Sequence, residues 1–416
     1  MKETSQVYDY VVIGSGFGGS VSAMRLAEKG YKVLVVEKGK HYKAEDFPTS
    51  DWQISKYLWA PLLRCFGVLK LTLFKKVFIL SGTGVGGGSL VYANTHFIPP
   101  DAFFENPVWK QYKDWKATLL PFYQLAQKML GTTSATRLHE EDKILEEVAK
   151  DMNRGDSFGA VKVGVYYGDT KNAKDPYFHG LGPARTGCQE CAACMVGCKH
   201  GAKNSLDKNY LYFAQKFGAT ILAETIATKI EYKDNLYHIH LQSSTNLFQK
   251  NKQVIVSKGL VMSGGVLGTM DLLLKQKYAE NTLPNLSNTL GENIRTNSES
   301  LCAVSLADRK LNNGVAITSF FNPDDHTHIE VVKYNNTSGV LSKLGVLAGD
   351  GDTPMVRVVK SLGHALKNPR AVFRIFTKFT WGEDSIIFLV MQNLDSSLKM
   401  VWKKGLFGGK MTFDEK

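Results

Sequence analysis

Four cysteines fall within eleven positions of "TGCQECAACMVGCK", residues 186–199, in a chain of 416 residues that has six in all. Cys188, Cys191, Cys194 and Cys198 follow C-x2-C-x2-C-x3-C, the bacterial ferredoxin spacing, in which thiolates two residues apart wrap one face of an iron–sulfur cubane. The fourth cysteine of such runs ligates a second cluster. Only one run exists here, and Lys199 stands where proline is usual. Cys198 would therefore have to bend back, or Cys65 or Cys302 would have to supply the last ligand. Four thiolates also satisfy tetrahedral zinc, although zinc knuckles come as two separated pairs. Plain free thiols are the third reading, and all three stay open on the spacing.

A second chemistry is written in glycines. In "YDYVVIGSGFGGSVSAMRLAEKGYKVLVVEKG", residues 8–39, Gly14, Gly16 and Gly19 form G-x-G-x-x-G between an apolar run and a helical period. The first glycine allows the tight turn, the second lets backbone approach a pyrophosphate, and the third lets helix pack on strand. A pyrophosphate then meets the free N–H groups and dipole of the helix N-terminus. Glu37, eighteen residues past Gly19 and at the end of the next apolar run, suits a ribose diol and disfavours a 2′-phosphate. The motif does not separate NAD from FAD. A second glycine loop, "SGTGVGGGSLVYAN" at 81–94, allows close backbone approach to something flat or charged.

Together the two loops resemble those of the glucose–methanol–choline (GMC) oxidoreductases, cholesterol-oxidase-like branch, in which a GVGGGSLV loop lies against the flavin ring. "HGAKNSLDKNYLYFAQKFGATI" (200–221), "VMSGGVLGTMDLLLK" (261–275) and "LGENIRTNSE" (290–299) extend the resemblance through most of the chain. One departure is that Tyr92 and Ala93 stand where the family has Asn-Gly, with Asn94 a step later. The resemblance implies FAD, hydride transfer from an alcohol carbon to the flavin, and a bulky apolar alcohol, sterol or other lipid, as substrate. It places the cofactor against Gly14, Ser15, Gly16, Phe17, Gly18, Gly19, Glu37, Lys38, Gly86, Gly87, Gly88, Ser89, Asn94, Ile226, Gly264 and Gly265. A cluster at the cysteines would take electrons singly from the flavin and pass them to a quinone or protein acceptor, making a dehydrogenase. Without one, oxygen could reoxidise the flavin directly, making an oxidase.

In the family, a catalytic His with an Asn or second His lies in a C-terminal segment. This chain ends at "GGKMTFDEK", and none of its ten histidines occupies that motif. The expectation is an incomplete polypeptide, for which a non-catalytic FAD-binding fragment is the alternative function. Glu330, flanked by His326 and His328, is the candidate acid in the substrate region; an ordinary strand carboxylate is the plainer reading.

These groups need elements to position them. The expected class is α/β with an α+β second domain. Residues 1–100 and 200–300 form a Rossmann-like FAD domain with a β-meander. Residues 101–199 and 301–416 form a substrate domain of antiparallel sheet and helices that includes the cysteine loop. Alternation over 226–241 predicts a hairpin, with His238 and His240 as surface strand residues, and 253–262 a further strand. Residues 101–131 and 139–152 read as helical, the acids of the latter on a solvated face. Strand pieces "HIEVVKY" and "SIIFLVMQNL" flank a basic helical piece at 356–378.

The composition, 44% apolar and 22% charged, excludes a disordered chain. The net charge of +12 suggests nucleic acid or anionic membrane, but no clustered Lys/Arg motif of a nucleic-acid binder is present. The N-terminus lacks an apolar signal region, so a cytoplasmic, thiol-reducing compartment is expected. The apolar run 58–80 carries Arg64, Lys70, Lys75 and Lys76, too many charges for a spanning helix. It reads either as an apolar lid or peripheral membrane patch with snorkelling lysines, or as a connection inside the core.

Overall fold

The computed structural model describes residues 2–75, 77–306, 309–345, 347–405 and 408–414. Lys76 lies outside them. Strand β1 (Lys2–Ile13) leads through Gly14 into α1 (Phe17–Glu28), which Gly30 ends in the left-handed conformation at φ 84° before β2 (Val33–Val36). Next come α2 (Glu140–Asp151), α3 (Tyr210–Lys216), β3 (Thr220–Leu222), β4 (Thr225–Lys233), β5 (Leu236–Ser243), β6 (Gln253–Met262) and α4 (Gly265–Tyr278). Then follow β7 (Ser300–Ser305), β8 (Ile317–Phe321), β9 (Thr327–Val332), α5 (Pro354–Lys367), α6 (Pro369–Thr377), β10 (Ser385–Gln392), β11 (Met400–Gly405) and β12 (Gly408–Phe413).

The first sheet has the order β3-β2-β1-β6-β5-β4. Its β3, β2, β1 and β6 run parallel, and β5 and β4 return antiparallel as the expected meander. Parallel strands are covered on both faces, so they read as continuous apolar runs. Val12, Val33 and Val35 pack with Ala23 and Met24 of α1 and Leu211 of α3 on one face. Val11, Leu34 and Val36 pack with Ile239, Ile255 and Leu272 on the other.

The second sheet is antiparallel, ordered β7-β10-β9-β8 with the short strand Gly159–Ala160 at its edge. Leu145 and Ala149 of α2 pack on Phe321, Val331 and Ile386 beneath it. A shared core joins the two halves: Tyr42, Tyr57, Val68 and Leu90 from the glycine-loop side meet Val163, Val196, Ile317 and Val332. The hairpin β11–β12 seats Met400 and Phe413 against Leu274 of α4, beside Phe74 and Ile79. Met400 and Phe413 thus pack on the first layer.

Three details differ from the sequence reading. The helix expected over 101–131 forms only at Asp101–Phe104 and Trp115–Met129, the latter restarted by Asp114, whose carboxylate accepts from Ala117 N (2.9 Å). The 356–378 piece is two helices because Pro369 follows Asn368 and cannot continue α5. The 58–80 run is divided between core and surface. Trp59, Cys65, Val68 and Leu69 are buried, while Leu62 at 93% exposure and Leu63 project from the turn between them. No helix among the described residues is long and apolar enough to cross a membrane.

Candidate cofactor site and its surroundings

The two glycine loops are one structure, and Ser15 ties them. Its N–H and hydroxyl both donate to Glu37 Oε2, at 3.1 and 2.7 Å. Gly86 N donates back to Ser15 Oγ at 3.1 Å. The other Glu37 oxygen accepts from Gly39 N at 2.8 Å. These contacts demand close backbone approach. A Cβ on Gly19 would lie 2.0 Å from Gly14 O, and one on Gly87 would lie 2.7 Å from Gly16 Cα. Gly14 itself sits at φ 99° against Ser263, where only glycine is unstrained.

The site therefore lies at the carboxyl ends of β1 and β6, where an open α/β sheet presents its ligand crevice. Two helices of twelve and fourteen residues, α1 and α4, begin there with Gly16 and Gly264 as N-caps and no capping side chain. Phe17, Gly18, Gly264 and Gly265 are exposed around these helix ends. Thr225 N donates to Glu37 O (2.9 Å), which brings the half-exposed Ile226 beside the end of β2. Burial lowers the Lys38 ammonium to about 8, with Lys70 adding to the effect and Glu37 opposing it.

Ser89 is committed to structure. Its hydroxyl donates to Gly86 O (2.7 Å) and accepts from Leu206 N (3.0 Å). Asn94 is fully buried at φ 71°. Its amide faces the Cys194 thiol, and neither amide atom makes a hydrogen bond of normal geometry. Such a group is costly unless something satisfies it.

These features fit an FAD. The α1 terminus offers unclaimed N–H donors to a pyrophosphate, Glu37 has filled three of about four acceptor positions, and Asn94 carries an unmatched amide.

His96 and Lys203, which sequence reasoning did not single out, cluster with Tyr92 beside Asn94. His96 Nε2 lies 3.1 Å from Tyr92 Oη and its Nδ1 2.8 Å from Thr132 Oγ1. Burial lowers His96 to about 4, so its imidazole is neutral near pH 7, and burial raises the Tyr92 phenol. Lys203 donates to the carbonyls of Leu90 (3.0 Å), Tyr92 (2.7 Å) and Cys194 (2.8 Å), clamping the flavin-loop residues to the cysteine loop. Burial lowers its ammonium to about 7, opposed by Cys194.

Among the described residues no group of three or more His, Cys, Asp or Glu is arranged to hold a metal. Cys188, Cys191, Cys194 and Cys198 instead surround a cavity of about 20 Å³, room for about one water. Cys188, Cys194 and Cys198 pack against the shared core beside Val165 and Val196. Burial raises the Cys188, Cys191 and Cys194 thiols, with neighbouring thiols adding to the effect. The spacing is ferredoxin-like, and the loop packs Cys188, Cys194 and Cys198 against an apolar core while Cys191 stays exposed.

Glu330 is not a surface carboxylate. It is 2% exposed on β9, between Phe320 and Leu389 of the flanking strands. His328 Nε2 lies 3.3 Å from Glu330 Oε1, and His328 Nδ1 lies 2.8 Å from Asn322 Oδ1. Phe320 stacks on the His328 ring and Phe97, next in chain to His96, meets its face edge-on at 5.0 Å. His326 stays at the surface on Asn393.

Comparison with known proteins places this architecture. The family model described as GMC oxidoreductase matches residues 183–295, and an NAD(P)-binding Rossmann-like domain matches 12–42. A cholesterol oxidase of Mycobacterium tuberculosis is 41% identical over 416 residues, covering 96% of this chain and 72% of that protein. The chain belongs to the GMC oxidoreductase family. A second relative, a cholesterol oxidase of Acinetobacter baumannii, is 37% identical over 96% of this chain and 74% of its own. A long-chain-alcohol oxidase of Arabidopsis thaliana is 27% identical over 68% of this chain and 35% of its own length. A solved pyridoxine 4-oxidase from Mesorbium loti shares the fold, with TM-score 0.56 and 12% identity over 98% of this chain and 75% of that one. In this GMC oxidoreductase the first glycine loop lies within the residues that match the Rossmann-like domain.

Proposed function

We propose that the protein oxidises the CH–OH group of a bulky apolar alcohol of sterol type, with FAD in the Ser15–Glu37–Gly86 cradle. The observation that carries this reading is 41% identity to a cholesterol oxidase along nearly the whole chain, with both glycine loops in place. Bound there, FAD supplies the hydride acceptor. The alcohol carbon gives up its hydride, the hydroxyl gives up its proton, and the carbinol becomes a ketone. Open helix ends bind the diphosphate, and Glu37 orients the ribose. The apolar flanks of Phe97 and Phe320 suit an apolar substrate and exclude water. The Glu330–His328 couple is our candidate for receiving the hydroxyl proton, since a base must lie within reach of it with a suitable pKa. Molecular oxygen is the proposed electron acceptor, a choice supported by relatives named as oxidases.

Anaerobic mixing of the flavin-loaded chain with cholesterol tests the reading. Bleaching of the flavin's visible absorption with formation of the steroid ketone is expected, and admitted oxygen should restore the colour. Bound flavin that neither a sterol nor a long-chain alcohol reduces would remove the proposal. Glu330→Gln should slow the bleaching by about 100-fold or more if the couple takes the proton; an unchanged rate would place the base elsewhere.

A further inference from the structure

Helices α5 and α6 are mounted inside out. In α5, Met355, Val359, Leu362 and Leu366 recur at spacings of four, three and four, one stripe of a 3.6-residue period. A surface helix of a folded domain turns such a stripe to the core. Here it faces solvent, with Leu366 84% exposed. The polar face does the seating instead. Arg357 Nε donates to Gly351 O, Ser361 Oγ to Leu347 O, and His364 Nδ1 lies 2.7 Å from Ala348 O.

Helix α6 repeats the arrangement. Arg374 and Lys378 pair with the buried Asp384, and Lys343 Nζ donates to the carbonyls of Ile375 and Lys378 (2.8 Å for the latter). Phe373 (70%) and Phe376 are exposed, while the ring of the following Phe379 packs on Trp52 at 4.8 Å. Neither helix has a side chain classed as buried among those described. Exposed apolar residues thus occur on both helices, a concentration of the kind that marks an interaction site.

Charge selects the partner. From Thr353 to Gly382 the sequence holds Arg357, Lys360, Lys367, Arg370, Arg374 and Lys378 and no acid. Lys360, Lys367 and Arg370 are exposed, and no ion pair involves them among the described residues. Unpaired cations bordering an apolar stripe repel a second copy of the same face, whereas anionic headgroups neutralise them while acyl chains take the stripe. The net charge of +12 acts in the same direction. We propose that α5 and α6 form an anchor that lies in the interface of an anionic lipid bilayer, with Met355, Leu362, Leu366, Phe373 and Phe376 inserted and the lysines and arginines at headgroup level. The surface requires neither flavin nor turnover, so it stands apart from the reading of the site.

Flotation of the full chain with vesicles tests this, with no substrate present. Vesicles of phosphatidylcholine and phosphatidylglycerol should carry the protein up, phosphatidylcholine alone should carry markedly less, and added salt should weaken the binding. L362D and F373D should each lower the anionic-vesicle partition constant by about tenfold or more. Their circular dichroism and melting should match the parent, since neither side chain is buried. L366W should shift its emission to the blue when those vesicles are added. Failure of the parent to float on anionic vesicles would overturn the proposal, as would flotation indifferent to L362D and F373D. Lipid-free dimers that sedimentation detects and L362D abolishes would also overturn it, by assigning the stripe to a second copy.

Discussion

Helices α2 and α5 have the same kind of sequence and opposite placements. Each alternates apolar and charged residues at helical spacing. In α2, Leu145 and Ala149 are fully buried under the second sheet, and Glu146 and Lys150 pair at the surface (2.6 Å). In α5, the leucines are exposed, and Arg357, Ser361 and His364 bond to carbonyls of the preceding loop. Periodicity states that a helix has two faces; it does not state which one the rest of the chain covers. That is decided by distant partners. For α2 they are Phe321, Val331 and Ile386. For α5 they are the backbone carbonyls of 347–351, which accept hydrogen bonds and offer no apolar cover.

The comparison can be broken by substitution. The inward face of α2 also carries Glu141 and Asp142, both fully buried. Lys333 answers them, its Nζ 2.8 Å from Glu141 Oε1 and 3.9 Å from Asp142 Oδ2. Lys333→Met leaves two buried carboxylates without a cation and should cost about 3–5 kcal/mol in urea-unfolding experiments; a loss below about 1 kcal/mol would mean that water reaches the pair. Leu145→Ala should cost about 2–5 kcal/mol by the same measurement.

His96 sharpens the contrast in a third place, a buried imidazole with no acid beside it. Its folded value is lowered to about 4 against an ordinary 6.5. The unfolded chain therefore binds the proton first. Stability should fall as pH drops from about 6.5 to about 4, by roughly 3 kcal/mol for this group. His96→Gln should flatten that part of the pH–stability curve, and an unchanged slope would show that the imidazole is solvated. Smallest of all, Leu362→Ala should change stability by less than about 0.5 kcal/mol. A loss near that of Leu145→Ala would show that the stripe of α5 is covered within the fold.

What was legible in the sequence was what depends on near neighbours. Gly14, Gly16, Gly19 and Glu37 belong to one βαβ unit, so their spacing alone implied a dinucleotide crevice. The β4–β5 hairpin was legible from its alternation. The cysteine run was legible as a spacing, but the packing of Cys194 and Cys198 against Val165, Val196 and the shared core was not. Glu330 read as ordinary because its burial comes from strands β8 and β10. Lys203 and Lys333 gave no signal, since their partners lie 113 and 192 residues away in sequence. Tyr92 and His96 stood in view as a departure from the family's loop and as one of ten histidines. Their pairing with each other, and that of His96 with Thr132, needed the fold.

The account rests most directly on the cradle at Ser15. The deciding measurement is calorimetric titration of FAD into the flavin-free chain, beside Ser15→Ala. We predict one FAD per chain. In Ser15→Ala affinity should fall about tenfold or more, because Gly86 N and a Glu37 oxygen lose a buried partner. Absence of FAD binding by the parent chain, or equal affinity in Ser15→Ala, would contradict the assignment of the two glycine loops as one cofactor site.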